Sequence, residues 1–494
     1  MTNIKVRFAP SPTGYMHIGN IRTALFNWLW AKKMGGNFML RIDDTDSVRS
    51  KKEYEDYLRE SLKWLGLTWE EEARQSARFE RYNEVTQKLI KEGRIYPCYE
   101  TAEELEFKRK RAMNKGLPPI YDRQALTYTA EDIKKFEAEG RKPHYRFKLI
   151  DGEIAWDDVV RGRVKYEAQN LSDPIIIRED GSYLYHLPSV IDDCDFGITH
   201  IVRGEDHVTN TASQIQMFEA IGGKVPTFAH LPLLTGKEGK LSKRLGSLGV
   251  KDLKDDGVEN MTICSFLAKL GTSEAIEPFY TLEDLAQSLD FSKIGRSQPK
   301  FDEEELKHFN IKYIHNLPYE IIKDRVSVTE SFWLQIRANI EKVSDYEAWN
   351  KICNDEIEPI VEDKEFTSCA ANLLPEQPWD NDTFSTWVNV IKEQTGKKGK
   401  ELFHPIRMAL TGQENGPELK VLLPLIGYEK AFKSDVKKHI DAIASKYIIK
   451  DVTSDQAIMF LPAEAIFAEV NAYHPDIINY AYRKKVWITS PTTL

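Results

Sequence analysis

The sequence predicts an α/β fold at the N-terminal end of the chain, followed by a mostly helical region. Residues 4–9 alternate between apolar and polar side chains, which is the period of a β-strand. Apolar residues then recur at helical spacing from Ile21 until Gly35 and Gly36 end the helix, and the alternation returns over residues 38–46. A strand, a helix and a strand at this spacing form a right-handed βαβ unit, which builds a parallel sheet.

Length and composition set the broad class of the protein. A chain of 494 residues is long enough for roughly three domains. Its net charge of −9 argues against an unspecific nucleic-acid coat, although a local basic stripe still suffices for phosphate contacts. Five scattered cysteines without a CxxC pair predict neither a disulfide framework nor a zinc ribbon. With no apolar run near ~20 residues and no signal-peptide pattern, we expect a cytoplasmic protein without a membrane partner.

The loop PSPTGYMHIGN, residues 10–20, is the first of two stretches that point to an anion. It lies between the first strand and its helix, where backbone N–H groups and the helix dipole favour negative charge. Gly19 allows the backbone to approach a ligand closely, and His17 and Asn20 can donate hydrogen bonds to phosphate oxygens. The alternative for this stretch alone is a turn glycine and a histidine that caps the helix.

The second stretch is GKLSKRLGS, residues 239–247, which places three cations and two serines in a glycine-bounded loop. Taken alone, such a loop is more often solvated surface than a binding site. Two separate groups of donors are what nucleotidyl transfer requires, because charge builds up on phosphate oxygens in the transition state. Together, the two stretches therefore predict a site for a nucleoside polyphosphate.

Three segments closely resemble bacterial glutamyl-tRNA synthetase, a family of class I aminoacyl-tRNA synthetases: residues 7–50, 185–211 and 230–244. The family signatures HIGH and KMSKS appear here as HIGN, residues 17–20, and KLSKR, residues 240–244. The resemblance implies an α/β fold: a Rossmann-like class I synthetase catalytic domain with an inserted α/β connective domain. A mostly α-helical stem-contact and anticodon-binding region follows.

The resemblance also implies where each domain lies. The expected boundaries are 1–100 and 176–245 for the split catalytic domain, 101–175 for the acceptor-end-binding insertion, 246–325 for the stem-contact domain and 326–432 for the helical anticodon-binding domain.

The tail, residues 433–494, does not continue this pattern. Its segments AIMFLPAEAIFAEV and VWITSPTTL resemble part of the RmuC family of DNA-recombination proteins. The acidic-lysine motif on which the nuclease-like core of that family depends does not precede them. We therefore expect a noncatalytic tail with strands at 457–461 and 486–488 and an exposed apolar edge.

The activity implied by the resemblance is that of a glutamate–tRNA ligase. ATP, with Mg2+, and glutamate form glutamyl-adenylate and pyrophosphate, and the glutamyl group then passes to the 3′ end of tRNA(Glu). Whether tRNA(Gln) is also charged stays open, and we expect a monomer. The substrate carboxylate is the nucleophile, so positioning and electrostatics carry the rate.

Family patterns assign roles to individual residues of this chain. The implied catalytic residues are His17, Gly19, Asn20, Lys240, Ser242 and Lys243, with the two lysines neutralising charge as pyrophosphate leaves. The implied ATP-binding residues are Pro10, Thr13, His17, Gly19, His207, Lys240 and Lys243. The implied glutamate-binding residues are Arg7, Ala9, Ser11, Asp43, Tyr185 and Arg203.

For glutamate, an arginine can grip the side-chain carboxylate in a bidentate fork while an acidic residue takes the ammonium group. Asp43 stands where the family usually has a glutamate. Because aspartate is shorter by about one methylene, its carboxylate lies farther from the substrate, and a bound water can bridge such a gap. Arg203 follows the apolar stretch 198–202, at the expected carboxyl end of a strand. Its alternative is a surface ion pair with Glu205 or Asp206.

Many bacterial relatives carry a zinc site in the insertion. Here only Cys98 remains of the cysteines, with Glu100, Tyr121 and Gln124 nearby. One thiolate cannot assemble a tetrahedral structural site, so we expect no zinc and no other resident metal.

Basic and aromatic residues suggest where RNA binds. Residues 106–116, with Tyr145 and Phe147 on a later segment, suit phosphate contact and base stacking, although a solvated helix face explains 106–116 equally well. In the helical region, the lysine cluster 397–400 and Arg407 are the expected RNA contacts.

Three other functions are alternatives to a glutamate–tRNA ligase. A glutamine–tRNA ligase shares the active-site motifs, but the helical anticodon region argues against it. A shortened relative that glutamylates a modified tRNA base lacks the anticodon domain, so the chain length disfavours it. The third alternative is a DNA-repair protein, which only the resemblance of the tail suggests.

Overall fold

The structure is a computed structural model that describes residues 4–46, 48–236, 248–355, 360–376, 379–449, 452–461 and 464–490. Its internal contacts divide the chain into two units, Met1–Asn310 and Ile311–Leu494. No helix in the described part of the chain is both long and apolar enough to cross a membrane.

The strands of the first unit are β1 Lys5–Phe8, β2 Asn37–Ile42, β3 Glu71–Arg74, β4 Ile95–Cys98, β5 His144–Phe147, β6 Glu153–Asp158, β7 Gly162–Glu167, β8 Ile175–Ile177, β9 His200–Gly204 and β10 Thr227–Leu231. The helices are α1 Ile18–Lys33, α2 Lys52–Trp64, α3 Phe79–Lys91, α4 Ala102–Asn114, α5 Ala130–Ala138, α6 His186–Asp195, α7 Val208–Ile221, α8 Val250–Asp255, α9 Asn260–Lys269, α10 Leu282–Gln287 and α11 Glu303–His315, in which the division between the units falls.

A parallel sheet carries the predicted βαβ unit. Strand β1 pairs in parallel with β2, and β2 with β3. Strand β9 pairs in parallel with β10, and the Thr199 N–H just before β9 donates to the Lys5 carbonyl at 2.9 Å, so β9 lies beside β1. The strand–helix–strand prediction is confirmed, and helix α1 begins at Ile18 because His17 caps it.

Helix α1 is buried nearly all round. Ile18, Ile21, Leu25 and Phe26 are fully buried, and each large apolar side chain contributes about 1.5–3 kcal/mol through burial. A helix held this firmly fixes the loop that precedes it.

The insertion between the halves of the sheet is antiparallel. Strands β4, β5 and β8 form one sheet, and β6 pairs with β7 in a hairpin. The turn of that hairpin meets the parallel sheet, because the Val159 N–H donates to the Phe228 carbonyl of β10 at 2.9 Å. The insertion is therefore attached to the strand that leads toward the second anion motif.

The second unit is mostly helical, in agreement with the predicted fold class. Its helices are α12 Tyr319–Ile322, α13 Glu330–Ile336, α14 Tyr346–Asn354, α15 Lys364–Asn372, α16 Thr383–Thr395, α17 Lys400–Thr411, α18 Leu419–Ile426, α19 Tyr428–Tyr447, α20 Glu464–Tyr473 and α21 Pro475–Arg483, with strands β11 Ala457–Phe460 and β12 Val486–Thr489.

The tail has a hydrophobic core of its own. Strands β11 and β12 pair in parallel at the predicted positions, and Ile440, Val470, Ile477 and Val486 are fully buried beside them. The expected exposed apolar surface is present: Ile458, Phe460 and Trp487 are 62, 48 and 48% exposed.

Candidate active site

The first motif caps helix α1. His17 Nδ1 accepts a hydrogen bond from the Gly19 N–H at 3.2 Å, and Asn20 Oδ1 accepts from the His17 N–H at 3.3 Å, which forms a capping box. Burial lowers the pKa of His17, so its ring is neutral at pH 7. Because Nδ1 accepts, the proton of the neutral ring sits on Nε2, which is then a donor.

The helix N-terminus differs from the expected open anion site. The N–H groups of His17, Ile18 and Gly19 all have partners, since Ile18 donates to the Leu248 carbonyl at 3.2 Å. Short polar side chains next to a helix start compete for its N–H groups, which is the helix-capping alternative that the motif left open. A phosphate at this position has to replace some of these bonds.

The second motif meets the first through its downstream flank. Lys240, Ser242 and Lys243 lie outside the described residues. Leu248, the first described residue after them, and Gly249 bridge to Ile18 and His17 at the head of α1. A Cβ on Gly249 would lie 2.6 Å from Tyr57 Oη, so a larger residue at this position requires the Tyr57 side chain to shift.

Arg22 secures the same region, although no sequence signal pointed to it. Its Nη1 donates to the Pro232 carbonyl just after β10 at 2.7 Å, and its Nη2 donates to the Leu270 carbonyl at 3.1 Å. Burial lowers its pKa to about 10. Arg22 thus ties α1 to the segment that leads into the second motif.

The loop between β1 and α1 is anchored to β2. The Pro10 carbonyl accepts from the Asp43 N–H at 3.0 Å, and the Ser11 carbonyl accepts from the Thr13 N–H at 2.8 Å. Ser11 and Thr13 are exposed, while Ala9 and Pro10 are half-buried. The predicted ligand-binding residues of this loop therefore lie at a solvent-accessible end of the sheet.

A buried cluster of charges lies beside the ends of β1 and β2. Arg41 makes a fork with Asp43, at 2.7 Å from Nε to Oδ1 and 3.0 Å from Nη2 to Oδ2. Its Nη1 donates to Asp193 at 2.6 Å, and Arg7 Nε donates to the same carboxylate at 3.0 Å. All four side chains are buried. We name Arg7, Arg41, Asp43 and Asp193 the Arg41 cluster.

The two carboxylates of this cluster titrate differently. Burial, only partly offset by Arg41, raises the pKa of Asp43 to about 6. Burial acts on Asp193 as well, but Arg7 and Arg41 outweigh it and lower the pKa of that carboxyl. Both oxygens of Asp43 are engaged by Arg41, so its predicted contact with the substrate ammonium group has to use a second lone pair.

Arg203 stands in β9 and is buried, at 7% exposed. Its Nε donates to His230 Nε2 at 3.2 Å and its Nη2 to Thr211 Oγ1 at 2.5 Å, and both partners are neutral groups. The alternative of a surface ion pair is not what the structure shows, because Glu205 pairs with Arg161 at 2.7 Å instead. Burial lowers the pKa of Arg203 to about 10.

Neutral polar groups surround the Arg203 site. Tyr185 Oη hydrogen-bonds His207 Nδ1 at 3.1 Å and accepts from Asn210 Nδ2 at 2.8 Å. Burial, followed by the charge of Arg203, lowers the pKa of His207 to about 4, so its ring is neutral at pH 7. Asp206 lies 3.6 Å from His207 and forms no ion pair with Arg203 among the described residues.

His230 and Asp158 form a buried pair that the sequence did not single out. His230 Nδ1 lies 2.5 Å from Asp158 Oδ2, and both side chains are completely buried. His230 belongs to the quoted segment 230–244, but nothing in the sequence marks Asp158, which stands in the insertion. Only the chain fold brings this carboxylate to the parallel sheet.

One predicted RNA contact is wrong. Phe147 is fully buried in the hydrophobic core, with the Arg94 guanidinium 4.7 Å from its ring centroid, so it has no ring face to offer to a base. Tyr145 is half-buried, and α4, which covers most of 106–116, has no buried side chain. The face of α4 is thus accessible, which agrees both with an RNA contact and with a helix face that is only solvated.

The surroundings of Cys98 are taken up by hydrogen bonds. Tyr121 Oη donates to Glu100 Oε1 at 2.8 Å and lies 3.7 Å from Cys98 Sγ. Lys108 Nζ lies 3.3 Å from Glu100 and 2.5 Å from Gln124. Burial raises the pKa of Cys98 to about 12, which keeps the thiol protonated.

In the second unit, Arg407 lines an open cavity of about 460 Å³ together with Phe384 and Phe403. Its Nη2 donates to the Pro417 carbonyl at 2.9 Å, whereas its Nη1 is buried without a hydrogen-bond partner in the described part of the chain. Lys397, from the cluster 397–400, forms an ion pair with Asp363 at 2.5 Å.

Comparison with known families agrees with this architecture. Residues 3–308 match the family of class I tRNA synthetases (E and Q), catalytic domain, and residues 275–433 match an anticodon binding domain. Residues 427–494 match the RmuC family.

Two relatives and one solved structure illustrate the similarity. The chain is 52% identical to glutamate–tRNA ligase 1 of Maricaulis maris over 87% of this chain and 98% of the relative, and 50% identical to glutamate–tRNA ligase of Azospirillum brasilense over the same shares. A glutamate tRNA ligase from Elizabethkingia meningosepticum, solved in complex with its amino acid, matches with a TM-score of 0.74 at 27% identity, over 88% of this chain and 99% of that one. The chain therefore belongs to the class I tRNA synthetases, among the glutamate–tRNA ligases.

Proposed function

We propose that this protein activates glutamate with ATP and transfers the glutamyl group to the 3′ end of tRNA(Glu). One observation carries the glutamate half of the proposal. Arg203 is a buried cation that, among the described residues, contacts only neutral groups. A buried charge without a counter-ion is costly, and a substrate carboxylate would supply that counter-ion.

Charge and polarity around Arg203 support an acidic amino acid over its amide. Arg7 opposes the charge of Arg203, Asp193 and Asp206 favour it from a distance, and Tyr185 offers a hydroxyl whose pKa both arginines lower. Glutamine would leave this positive charge unneutralised, so glutamate binds better. Asp43 and Ser11, at the end of β2 and in the exposed loop, remain our assignment for the other end of the substrate.

The ATP half rests on the two motifs. His17 presents a neutral Nε2–H, and the residues that follow the second motif lie against it. Lys243 precedes Leu248 by five residues, and five residues of chain span at most about 18 Å. We assign the triphosphate to the helix start and to Lys240 and Lys243, where cations stabilise the charge on the departing pyrophosphate.

Mg2+ enters this proposal as a companion of the triphosphate. In the described part of the chain, no group of three or more His, Cys, Asp or Glu side chains is arranged to hold a metal. We therefore assign Mg2+ to the triphosphate and name no protein ligands for it. The absence of zinc, the monomeric state and the cytoplasmic location stay predictions.

For tRNA, we assign the accessible face of α4 to the acceptor end and the Arg407 cavity to an unpaired base. The cavity combines two aromatic rings with a guanidinium whose Nη1 has no partner in the described part of the chain, a combination suited to base stacking. Lys397 would have to break its ion pair with Asp363 before it could bind a phosphate. Arg407 is therefore the better candidate of the two for an RNA contact.

Pyrophosphate exchange tests the assignment of Arg203. We expect Arg203→Met to lower kcat/KM for glutamate by about 10³-fold or more, because the carboxylate loses its charged partner. ATP binding should change little. Arg163→Met, at an exposed arginine of the β6–β7 hairpin, is the matched control. Unchanged glutamate activation in Arg203→Met, or activation of glutamine in place of glutamate by the unaltered protein, contradicts the proposal.

A second experiment tests the ATP half. Lys243→Ala should leave glutamate binding nearly intact but slow adenylate formation by about 10²-fold or more, the usual effect of losing one charge stabiliser. Lys91→Ala removes an exposed lysine of α3 and serves as the control. An unchanged rate would remove Lys243 from the mechanism.

The choice of tRNA needs its own measurement. Charging assays with purified tRNA(Glu) and tRNA(Gln) distinguish a specific enzyme from one that also misacylates tRNA(Gln). Glutamylation of neither tRNA, or cleavage of DNA alone, rejects the ligase assignment.

A further inference from the structure

Three buried side chains form a hydrogen-bonded row behind the proposed glutamate site. Asp158 Oδ2 lies 2.5 Å from His230 Nδ1, and His230 Nε2 lies 3.2 Å from Arg203 Nε. Asp158 and His230 are completely buried. The row runs from the insertion hairpin, through β10, to β9.

The polarity of this row is dictated by its two ends. Arg203 Nε is always a donor, so His230 Nε2 has to be an acceptor. The single proton of the neutral ring must then sit on Nδ1, where it is donated to Asp158. Burial lowers the pKa of His230, which keeps the ring neutral. A carboxylate at position 158 is thus the group that selects the tautomer.

Asp158 itself is held firmly. Its Oδ1 accepts from the backbone N–H groups of Val160 at 3.1 Å, Arg161 at 3.0 Å and His230 at 3.2 Å. These bonds fix the carboxylate at the turn of the β6–β7 hairpin and leave Oδ2 for the imidazole. The arrangement is rigid from the backbone to the ring.

We propose that Asp158, acting through His230, is a positioning residue that orients the Arg203 guanidinium for the side-chain carboxylate of glutamate. This inference rests on the proposed binding of glutamate by Arg203. With Nε bound to His230 and one Nη2 proton on Thr211, the two Nη1 protons and the second Nη2 proton remain to form a fork. The imidazole keeps Asp158 out of contact with Arg203, so the protein carboxylate does not compete with the substrate.

Asp158→Asn tests the inference, because the amide has only one acceptor oxygen. The three backbone N–H groups retain that oxygen, so the amide NH2 turns toward His230 Nδ1. The ring proton then moves to Nε2, where it opposes the Arg203 Nε–H and competes with Arg203 for the Thr211 hydroxyl, 2.9 Å away. We expect KM for glutamate to rise about 10- to 100-fold, while KM for ATP stays within about threefold.

Asp157→Asn is the matched control. Asp157 is the neighbouring residue of β6, but its side chain is 81% exposed and pairs with Arg163 at 3.2 Å. KM for glutamate should change less than about twofold in this variant, because its charge is solvated. An Asp158→Asn variant with the same KM for glutamate as Asp157→Asn overturns the proposal.

Two substitutions of His230 keep the test valid if Asp158→Asn does not fold. His230→Gln puts an amide oxygen near the position of Nε2 and retains an acceptor for Arg203, whereas His230→Leu retains none. We expect Gln to raise KM for glutamate less than about tenfold and Leu to raise it about 100-fold or more. Equal KM values for the two variants overturn the proposal.

Arg203→Met separates this inference from the proposed function. If Arg203→Met leaves glutamate activation unchanged, the assignment of the glutamate site itself is wrong. If Arg203→Met abolishes activation while Asp158→Asn matches its control, the site stands and the positioning role of Asp158 is rejected.

Discussion

Two buried arginines of the parallel sheet, Arg41 and Arg203, have opposite surroundings. Arg41 is fully buried and faces Asp43 and Asp193 at 2.7 and 2.6 Å. Arg203 is 7% exposed and touches only neutral partners in the described part of the chain. Burial opposes the charge of Arg41, but its acidic neighbours raise its pKa above the ordinary value, whereas burial lowers the pKa of Arg203 to about 10.

The difference distinguishes a structural cation from one prepared for a ligand. In the Arg41 cluster the charges neutralise one another within the protein, so removing one partner strands the others. At Arg203 the chain holds the guanidinium by neutral acceptors, and no described carboxylate forms an ion pair with it. Such an arrangement costs stability, and a bound carboxylate would recover that cost as affinity.

The largest expected effect is on the paired arginine. Arg41→Met should lower the free energy of unfolding by about 3–5 kcal/mol, because Asp43 loses both of its guanidinium bonds and Asp193 loses one in a buried setting. Denaturant unfolding measures the change. Arg49→Met, at an arginine whose side chain is 70% exposed, should stay within about 0.5 kcal/mol. Equal losses in both variants would remove the distinction.

Acidification should stabilise the Arg41 cluster through Asp43. Its folded-state pKa of about 6 lies above the ordinary 3.8, so the folded protein takes up this proton first. The contribution grows as the pH falls through 6, is complete below 3.8, and is lost again as the pH rises through 6. When the pH is lowered from 6.5 to 4.5, the unaltered protein gains this contribution and Asp43→Asn does not. The change in unfolding free energy over this interval should therefore be about 2 kcal/mol less favourable in Asp43→Asn than in the unaltered protein. Parallel pH profiles would contradict this.

A smaller effect is expected for the unpaired arginine. Arg203→Met should leave the free energy of unfolding within about 1 kcal/mol of the unaltered protein, or raise it, because no carboxylate loses a partner. Thr211 Oγ1 lies 2.9 Å from His230 Nε2 and can satisfy it after the substitution. A loss as large as that of Arg41→Met would show that Arg203 is also structural.

The smallest expected effect is a shift in the pKa of His207. Burial and then Arg203 lower that pKa to about 4, so Arg203→Met should raise it by less than about one unit while burial still acts. NMR titration of the histidine ring protons measures it. The pKa of His144, which burial and Arg146 lower to about 4, should not move in this variant. An unchanged His207 would mean that Arg203 exerts no field there.

Several expectations from sequence were confirmed because they depend on local periodicity. The first strand, helix α1 and the second strand were all predicted, as were the two strands of the tail. The resemblance to the synthetase family, carried by the two motifs and their order, was also confirmed. Patterns of period 2 and 3.6 indicate which face of an element is buried, so predictions based on them do not require knowledge of the fold.

Other expectations failed or were incomplete where the outcome depended on neighbours. Phe147 lies among basic and aromatic residues in the sequence but is fully buried, because the hydrophobic core covers the face of β5 from which its side chain projects. Asp43, which we assign to the substrate ammonium group, is also engaged by Arg41 through both oxygens, a contact that the sequence did not indicate. His17 and Asn20 form a capping box at the start of their own helix, and capping by His17 was the alternative given for that motif; their predicted contact with phosphate stays a prediction.

From its amino-acid order alone, this chain showed an α/β class, two anion-friendly motifs and a family, because these features are written in contiguous segments. The family pattern assigned Arg203 to glutamate, but the neighbours that neutralise Arg41 and the neutral groups that hold Arg203 were not visible there. Arg41 meets Asp193 across 152 positions and Arg203 meets Asp158 through His230, a residue 72 positions from that carboxylate. Hydrogen bonds need donor and acceptor within about 3 Å of each other, so these pairings exist only once the sheet and its insertion have brought distant segments together.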